Sequence, residues 1–355
     1  MLTGVQDDVV PDRLVMAVDG NSLVHRSFHA QAATGTRTAD GRPIWAVRGL
    51  LGQLVAAVER LDPDVVVVGF DDPDDSWRRT EWPGYKGTRG EKLDTLVCQL
   101  QTAVEVLRAL GIAVVVPPGL EADDVLASTA ATASAAGART VVVSSDRDAF
   151  ALIDDRTSVL RILNGGVDAS PVLTPDRLHL LLGIRAGQYG DFAALRGDTS
   201  DNLPGVTGIG PKTAAKLLGA LGSARAAFDD LEAGGTAVVA AVGKGAAARL
   251  AADGAREAWE RNRAVMRMRT DVPVPLTHGL PLDQAVVQTV YTDHQLTSTL
   301  PSALRCLARV EVPGPAVQQA WSAARETALA GRTGWSGRRP PPLPRRRDEG
   351  QLSLF

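Results

Sequence analysis

The sequence predicts an α/β protein whose mostly parallel central sheet is flanked by helices. Four short, valine-rich apolar runs cover Leu14–Val18, Val65–Phe70, Ala113–Val116 and Thr140–Val143. Each run is continuous rather than alternating, as is typical of strands that are buried on both faces of a parallel sheet. Past about residue 174 such runs become rare, and short helical patterns alternate with Gly and Pro, which indicates a second, helical part.

The segments between the strands have helical spacing of their apolar residues. They predict helices over Val47–Leu61, Leu93–Leu110 and Glu121–Ala136. Pro63 follows the first segment, Gly111 ends the second and Gly137 ends the third, and both residue types stop helices. In the second half, helices are expected over Thr174–Leu182, Gln188–Leu195, Pro211–Leu218 and Ala246–Met268.

These patterns divide the chain into four parts. Residues 1–173 form the α/β domain, and residues 174–310 form the helical domain. Residues 311–350 are expected to be a flexible linker, because residues 331–350 contain six Arg, four Pro and four Gly. The last five residues, QLSLF, are apolar again.

Composition excludes several classes of protein. A hydrophobic fraction of 45% and a charged fraction of 22% exclude global disorder. Cys98 and Cys306 lie far apart, so neither a disulfide framework nor a zinc site is expected. The N-terminus carries acids without an apolar core, and no apolar run is long enough to span a membrane. We expect a cytoplasmic monomer with no membrane partner.

Acidic residues follow the ends of the predicted strands. Seven carboxylates from four separate segments are expected at one edge of the sheet, where ligands bind in open parallel sheets. Two more lie in the polar turn RGDTSDN. The full set is Asp19, Asp71, Glu121, Asp123, Asp124, Asp146, Asp148, Asp198 and Asp201. A single acid after a strand is more commonly a helix cap or a surface turn; acids at all four strand ends together indicate a site.

So many carboxylates would repel one another unless cations neutralise them or their pKa values rise. Oxygen ligands without His or Cys favour Mg²⁺, with Mn²⁺ as a substitute. Two such ions suit in-line attack on a phosphodiester. The formal net charge of −3 argues at first against a nucleic-acid partner. Without these nine acids, however, 32 acids remain against 38 bases, or +6.

The segment LPGVTGIGPKTAAKLL predicts a helix-hairpin-helix, with a tight turn between two helices. Pro211 suits the first helical position, and the free N–H groups of that helix start can bind a phosphate. The candidate DNA contacts are Gly208, Gly210, Lys212, Thr213 and Lys216. Such a hairpin grips a DNA backbone without reading bases. A simple Gly-Pro turn between core helices is the alternative, and the spacing does not decide whether the hairpin carbonyls hold K⁺.

Taken together, these motifs resemble one family: the 5′ nucleases, which include the 5′-3′ exonuclease domain of bacterial DNA polymerase I and the flap endonucleases. The matching stretches are AVDGNSLVHRSFHA, VVVGFDD, PGYKGTR, GLEADDVLAS, VSSDRDAF and LRGDTSDNLPGVTGIGPKTAAKLL. They occur in the family's order from about residue 14 to residue 218. The chain has SDRD where the family usually has Gly-Asp-Lys-Asp. It also leaves no room for a polymerase domain, which predicts a free-standing nuclease.

The resemblance implies a metal-dependent 5′→3′ exonuclease and structure-specific flap endonuclease that releases 5′-phosphate products. It places Asp19, Asp71, Glu121 and Asp123 around a first metal ion, with Asp124 beside it. It places Asp146, Asp148, Asp198 and Asp201 around a second. It also implies a helical arch near residues 77–110. At the base of that arch Lys86 and Arg89 meet the scissile phosphate, and Tyr85 can stack on a base. The implied role is removal of RNA primers from Okazaki fragments and DNA repair.

The C-terminal pentapeptide resembles the peptide with which bacterial proteins bind the sliding clamp. Gln351 would form a hydrogen bond at the rim of the clamp's groove, while Leu352, Leu354 and Phe355 would fill the groove. The alternative is that this peptide packs on its own domain. The Arg-rich linker would act as a tether that raises the effective concentration at the clamp.

Two other functions stay open at this point. The chain could be a non-catalytic module that binds DNA structures, although such a module would not need all nine acids. It could also be a PIN-like ribonuclease, against which the hairpin argues, because structured RNA is usually recognised by other means.

Overall fold

The structure is a computed structural model that describes residues 13–277 and 279–310. The N-terminal residues, the predicted linker and the C-terminal peptide with Gln351, Leu352, Leu354 and Phe355 lie outside the described residues.

The predicted α/β architecture is confirmed. The main sheet contains β1 (Leu14–Asp19), β2 (Val65–Gly69), β3 (Ala113–Val115), β4 (Arg139–Ser144), β5 (Thr157–Arg161) and β6 (Val172–Leu173). Its strand order is β3-β2-β1-β4-β5-β6, with β1 to β5 parallel and β6 antiparallel. A separate two-stranded pair joins β7 (Gly197–Asp198) to β8 (Leu203–Pro204). The sequence did not predict β5 or β6, because β5 mixes polar with apolar residues and β6 contains only two residues.

Thirteen α-helices accompany these strands in the described residues. They are α1 (Gly20–Gln31), α2 (Trp45–Leu61), α3 (Arg78–Glu81), α4 (Asp94–Ala109), α5 (Ala122–Ala135), α6 (Pro175–Leu182), α7 (Tyr189–Arg196), α8 (Pro211–Leu221), α9 (Ala224–Glu232), α10 (Thr236–Leu250), α11 (Ala255–Val265), α12 (Gln284–Asp293) and α13 (Leu300–Leu307).

The sheet is the middle of three layers. Along β1, Met16 and Val18 face one apolar core, whereas Val15 and Ala17 face the opposite side. The first core is filled by α1, α2, α4, α12 and α13. Helices α5 to α11 cover the other face. Burial of both faces is the reason that the strands are continuous apolar runs.

The single long helix predicted over Ala246–Met268 is wrong. Helix α10 ends at Leu250, and α11 begins at Ala255 after a turn. Gly254, which precedes α11, has a φ of +80°, a left-handed conformation that interrupts the helical path.

The predicted arch near residues 77–110 is less helical than expected. It consists of the four-residue α3, a turn-rich segment over residues 82–93 without a helix, and α4. Helix α4 buries Leu96, Ala103 and Leu107 in the first core. It is therefore an integral helix of the α/β layers rather than a free arm.

Residues 269–310 return from the helical part to the α/β layers. Gly279 forms a β-bridge with Val65 at the start of β2, and the N–H of Leu280 donates to the carbonyl of Asp64 at 2.8 Å. Tyr291 of α12 and Leu307 of α13 are buried in the first core. This placement differs from the expectation that the helical domain continues to residue 310. No helix in the described ranges is long and apolar enough to cross a membrane.

Candidate active site

The carboxyl ends of the strands open into one large cleft. The strand order reverses direction between β1 and β4, and a crevice forms at such a switch point. The cleft has a volume of about 1410 Å³. Seven of the nine predicted carboxylates line it, namely Asp19, Asp71, Glu121, Asp123, Asp146, Asp148 and Asp201. We call this the acidic cleft. The parallel sheet thus brings together acids from four chain segments, and the loop between β7 and β8 adds Asp201.

Asp19 lies at the switch point, at the end of β1 and the start of α1. One carboxylate oxygen accepts a hydrogen bond from the N–H of Ser22 at 2.8 Å, and the other accepts the hydroxyl of Ser144 at 2.7 Å. The residue is only 5% exposed. Burial raises its pKa to about 7, opposed by these two hydrogen bonds and assisted by the charges of Asp71 and Asp146. Asp19 is therefore both a helix cap and a member of the acidic group.

Asp71 is held across the gap between β2 and α5. Its oxygens accept the side-chain amide of Asn21 at 2.6 Å and the N–H of Ala122 at 2.9 Å. These two bonds connect the ends of three segments, so the carboxylate is fixed without a cation partner of its own.

Asp123, Asp146 and Asp148 form the mutually repelling centre of the cleft. Burial raises the pKa of Asp148 to about 8, and the charges of Asp146 and Asp198 raise it further. Burial also raises the pKa of Asp123 well above its ordinary value, and repulsion from Asp19 and Asp146 raises it further. These like charges lie within electrostatic reach of one another, which is the arrangement that a bound cation relieves.

Glu121 is buried and neutralised by neighbouring side chains. Its carboxylate accepts the Ser76 hydroxyl at 2.8 Å, the Tyr85 hydroxyl at 3.0 Å and the Lys86 ammonium at 2.9 Å. Burial alone would raise its pKa, but the positive charges of Lys86 and Arg78 outweigh burial and lower the pKa. Glu121 is therefore ionised in this arrangement.

Asp198 and Asp201 lie on the loop between β7 and β8. Asp198 accepts both the N–H and the hydroxyl of Ser200, at 2.8 and 2.6 Å. Asp201 is 7% exposed and forms an ion pair with Arg89. Asp201 reaches the acidic cleft, whereas Asp198 does not line it, although its charge acts on Asp148.

The structure gives Asp124 a structural role instead of the predicted place beside a metal. It is fully buried, and Arg78 binds both of its oxygens at 2.8 and 2.9 Å. The same oxygens accept the N–H groups of Glu121 and Arg269 at 3.0 and 2.8 Å. Because these donors occupy the carboxylate, Asp124 does not face the acidic cleft.

The oxygen donors of the acidic cleft are of the type that binds divalent cations, but the described side chains are not yet arranged around an ion. Its donors are oxygens, most are recessed, and several raise one another's pKa. Over residues 13–277 and 279–310, however, no three Asp, Glu, His or Cys side chains are arranged to hold one ion. Glu121 and Asp201 are turned toward Lys86 and Arg89 instead. Binding of ions at the two predicted positions would require these side chains to move.

The three residues predicted at the base of the arch differ in their exposure. Arg89 is half exposed, and Lys86 keeps 19% of its side chain exposed at the edge of the cleft. Tyr85, by contrast, is 5% exposed and packs against Leu203 and Val265. Its ring is therefore not available to stack on a base in this structure; its hydroxyl positions Glu121.

The PGYKGTR loop is joined to the RGDTSDN loop. The N–H of Lys86 donates to the carbonyl of Asp201 at 3.0 Å, and the Asn202 amide donates to the carbonyl of Gly84 at 2.8 Å. The indole N–H of Trp82 donates to the carbonyl of Asn202 at 3.0 Å. Lys86 itself has a φ of +54°. These bonds hold a strained backbone in place beside the acids.

The predicted hairpin is present with one difference. The turn at Gly208 and Gly210 leads into α8, and Pro211 occupies its first turn. The preceding helix α7 is separated from this turn by β7 and β8, so the turn does not join two helices directly. Lys212 and Lys216 are exposed on α8, and Thr213 between them is half-buried. The exposed cations are therefore presented to solvent.

The backbone conformation and the close packing at position 208 both favour glycine. Its φ is +74°, and a Cβ atom there would lie 2.7 Å from Cδ of Arg249 on α10. The Arg249 guanidinium donates to the carbonyl of Gly208 at 3.4 Å. Arg249 of α10 thus helps to hold the turn in place.

Sequence reasoning missed several residues of the site. Arg78, Asn21 and Ser144 hold Asp124, Asp71 and Asp19 respectively. Asn21 and Ser144 each lie two positions from a predicted acid, Asp19 and Asp146 respectively, which could have indicated their role. Arg78 and Arg79 are adjacent and identical in type, so only the tertiary structure shows which one is buried.

Comparisons with known proteins agree with this architecture. A family model described as the 5′-3′ exonuclease N-terminal resolvase-like domain matches residues 14–178. A second, described as the 5′-3′ exonuclease C-terminal SAM fold, matches residues 184–288. The two matches follow the division into an α/β part and a helical part.

Relatives by sequence include DNA polymerase I of Mycobacterium tuberculosis (strain ATCC 25618 / H37Rv). It is 38% identical over 263 residues, which cover 74% of this chain and 28% of that protein. Thermostable DNA polymerase I of Thermus aquaticus is 40% identical over 222 residues, covering 62% of this chain and 26% of that protein. This chain therefore spans roughly a quarter of these relatives.

Solved structures share the fold. The T5 5′-exonuclease with bound zinc has a TM-score of 0.58 and 19% identity, covering 83% of this chain and 100% of that one. The catalytic core of Rad2 in complex with a DNA substrate has a TM-score of 0.54 and 14% identity, covering 85% and 93%. Human GEN1 with Holliday junction DNA has a TM-score of 0.54 and 16% identity, covering 84% and 72%.

The motifs, the sheet with acids at its strand ends, the helical second part and both family models agree. The chain belongs to the 5′-3′ exonuclease family and is a nuclease of that family.

Proposed function

We propose that the protein is a divalent-metal-dependent 5′→3′ exonuclease and 5′ flap endonuclease acting on DNA. It hydrolyses phosphodiesters at 5′ ends, flaps and nicks and leaves 5′-phosphate products. The observation that carries this proposal is the acidic cleft, in which seven carboxylates meet Lys86 and Arg89 at one edge of the sheet. With a volume of about 1410 Å³, the cleft is larger than the usual range of about 300–1,000 Å³ for small-molecule sites.

The carboxylates provide the chemistry that phosphodiester hydrolysis needs. Asp19, Asp71, Glu121 and Asp123 would hold one cation, and Asp146, Asp148, Asp198 and Asp201 a second. Bound Mg²⁺ or Mn²⁺ supplies a Lewis acid that neutralises phosphate charge. The zinc-containing structure of the T5 5′-exonuclease, which shares the fold, supports a divalent metal.

Lys86 and Arg89 would bind the scissile phosphate. At present each neutralises a carboxylate, Glu121 and Asp201 respectively. A phosphate entering the cleft offers both cations a new anion, and the two carboxylates then become available to cations. Positive groups aimed at the phosphoryl oxygens stabilise the charge that develops in the transition state.

The helical part would hold the duplex. The hairpin residues Gly208, Gly210, Lys212, Thr213 and Lys216 present backbone N–H groups and two lysines to a DNA backbone. We include K⁺ at the hairpin as an optional ion. The Rad2 and GEN1 structures contain DNA, and their shared fold supports DNA as the substrate here.

The wider role that we propose is processing of RNA primers on Okazaki fragments and DNA repair by a cytoplasmic, nucleoid-associated monomer. Recruitment would use the sliding clamp, through Gln351, Leu352, Leu354 and Phe355. Deletion of residues 351–355 should remove clamp binding in surface plasmon resonance and leave cleavage of naked DNA unchanged. Equal clamp affinity with and without the peptide would contradict this role.

Product analysis tests the catalytic proposal. The full chain is incubated with nicked, gapped and 5′-flapped duplexes labelled at either end, with Mg²⁺ or with EDTA. We expect Mg²⁺-dependent cleavage near the flap junction and products that a 5′-phosphate-dependent ligase can seal. A single-stranded RNA of the same sequence is the control. Preferential cleavage of the RNA, or binding of the flap without cleavage, would overturn the proposal.

A further inference from the structure

A second cavity lies on the other side of the SDRD loop from the acidic cleft. It has a volume of about 280 Å³, just below the range of about 300–1,000 Å³ for small-molecule sites. Arg147 lines it, whereas its neighbours Asp146 and Asp148 line the acidic cleft. One loop therefore separates the two cavities. Exposed residues of α8, namely Pro211, Lys212 and Lys216, form part of its wall, so the cavity is open to solvent.

The charged side chains that line this cavity are all positive, although Arg196 also lies 3.9 Å from the carboxylate of Asp198. Five cations line it, and no acidic residue does; the cations are Arg147, Arg161, Arg196, Lys212 and Lys216. Burial and then the charge of Arg147 lower the pKa of Arg161, so these two guanidiniums lie within electrostatic reach of each other. A cluster of like charges in a recess is stabilised by an anion, and guanidiniums suit phosphate in particular.

Two polar groups in the wall have no hydrogen-bond partner among the described residues. They are the Tyr189 hydroxyl and Nε of Arg161. Tyr189 is 2% exposed, and buried hydroxyls are normally paired. The remaining wall is apolar, with Leu181, Leu182 and Ala215 half-buried in it. The site therefore combines an anion-binding wall, unpaired polar atoms and an apolar surface.

We propose that this pocket binds a nucleotide through its 5′-phosphate monoester. The phosphate would lie between Arg147 and Arg161, and the base would lie against the apolar wall. The choice of a nucleotide rests on the proposed function, since a nuclease of this kind makes 5′-phosphates beside the loop; the positive pocket itself does not depend on it. The phosphate comes either from a released mononucleotide or from the 5′ end of a strand.

Binding of deoxyadenosine monophosphate to the full chain in EDTA tests the assignment. Titration calorimetry is run with the nucleotide, with deoxyadenosine and with inorganic phosphate. We expect the nucleotide to bind most tightly and deoxyadenosine not to bind. Arg161→Gln should raise the Kd about tenfold or more, because it removes a charge-assisted hydrogen bond. Ala215→Phe, which fills the pocket without changing its charge, should abolish binding.

Matched controls make the outcomes distinct. Arg225→Gln removes an exposed arginine of α9 outside the pocket and should leave the Kd unchanged. The double variant Asp146→Asn and Asp198→Asn should bind the nucleotide at least as tightly as the original chain. A Kd unchanged by both pocket variants, or equal for nucleotide and nucleoside, would overturn the proposal.

Two oligonucleotides identify the source of the phosphate. If a 5′-phosphorylated strand binds more tightly than its 5′-hydroxyl form, and the pocket variants abolish this difference, the pocket binds the 5′ end of a strand. Equal binding of the two forms, with tight binding of the free nucleotide, indicates the released product. If the protein cleaves flaps but binds no nucleotide, only the assignment of this pocket is refuted. If it binds the nucleotide but does not cleave flaps, only the proposed function is refuted.

Discussion

At the scale of single residues, buried charge decides what each acid does. Asp124 is completely enclosed and is satisfied by Arg78 and two backbone N–H groups. Asp19, Asp123 and Asp148 lack a cation partner of this kind, and their pKa values are raised. Asp124 therefore stabilises the fold, whereas bound cations would relieve the repulsion among Asp19, Asp123 and Asp148.

Arg78→Ala should destabilise the fold strongly. The substitution leaves the buried carboxylate of Asp124 unpaired, and breaking a buried ion pair in this way costs about 3–5 kcal/mol. Urea unfolding measures the change in the free energy of unfolding. Its neighbour Arg79 is exposed, so Arg79→Ala should change stability by less than about 0.5 kcal/mol. Similar losses in both variants would show that Asp124 does not depend on Arg78.

The stability of the metal-free protein should fall as pH rises. Asp19 and Asp148 have folded-state pKa values of about 7 and about 8, against an ordinary value of 3.8. Between these limits the folded chain binds more protons than the unfolded chain, so the free energy of unfolding decreases with pH. In EDTA the Tm should drop between about pH 4 and pH 8.

Mg²⁺ is the control for this pH effect. Ions in the cleft would replace the protons, so the decline should become shallower when Mg²⁺ is added. The variant Asp148→Asn should likewise show a weaker decline in EDTA. A Tm that is insensitive to both changes would contradict the assignment of the raised pKa values.

At the scale of elements, two loops and one hairpin hold the cations that the proposed DNA substrate would contact. The loop at Lys86 is connected to the loop at Asp201 by backbone and side-chain hydrogen bonds. The turn at Gly208 is braced by Arg249. Both arrangements put cations next to the acidic cleft and on α8, where a phosphate backbone would run.

Replacing Lys212 and Lys216 with Gln should weaken DNA binding and reduce its salt dependence. Each neutralised phosphate contributes about −0.9 to the slope of log K against log salt, so the slope should become shallower by about 1.8. Fluorescence anisotropy with a 5′-flap duplex at several salt concentrations measures it. Lys244→Gln, on the exposed side of α10, should leave the slope unchanged. An unaltered slope in the double variant would place the DNA elsewhere.

The elements also show where sequence patterns succeed. Continuous apolar runs predicted β1 to β4 because burial on both faces leaves a local signature. Strand β5 contains Thr157 and Ser158 beside Val159 and Leu160, so it lacks that signature. The break before Gly254 was missed because Gly in an apolar helical pattern does not by itself specify a left-handed φ.

At the scale of the whole molecule, topology brings the acids together. The sequence predicted the convergence of most carboxylates, because parallel strands end at one edge of a sheet. It did not predict that Asp124 faces inward, that Tyr85 is buried, or that α12 and α13 return to the first core. These placements depend on contacts between residues far apart in the chain, such as Arg269 with Asp124. No local pattern encodes such contacts.

The uneven distribution of charge over the molecule explains how a net charge of −3 is compatible with a nucleic-acid partner. Acids are concentrated in one cleft, and cations surround the second cavity and the exposed face of α8. The same molecule can therefore attract divalent ions at one place and a phosphate backbone beside it.

We propose that the acidic cleft cleaves DNA. The direct measurement is the rate of Mg²⁺-dependent cleavage of a 5′-flap duplex by the variant Asp146→Asn and Asp198→Asn. Asp253→Asn, which changes an exposed acid in the turn after α10, is the control. We predict that the double variant folds normally, binds the flap and loses cleavage, while the control keeps full activity. Full activity in the folded double variant would contradict the account.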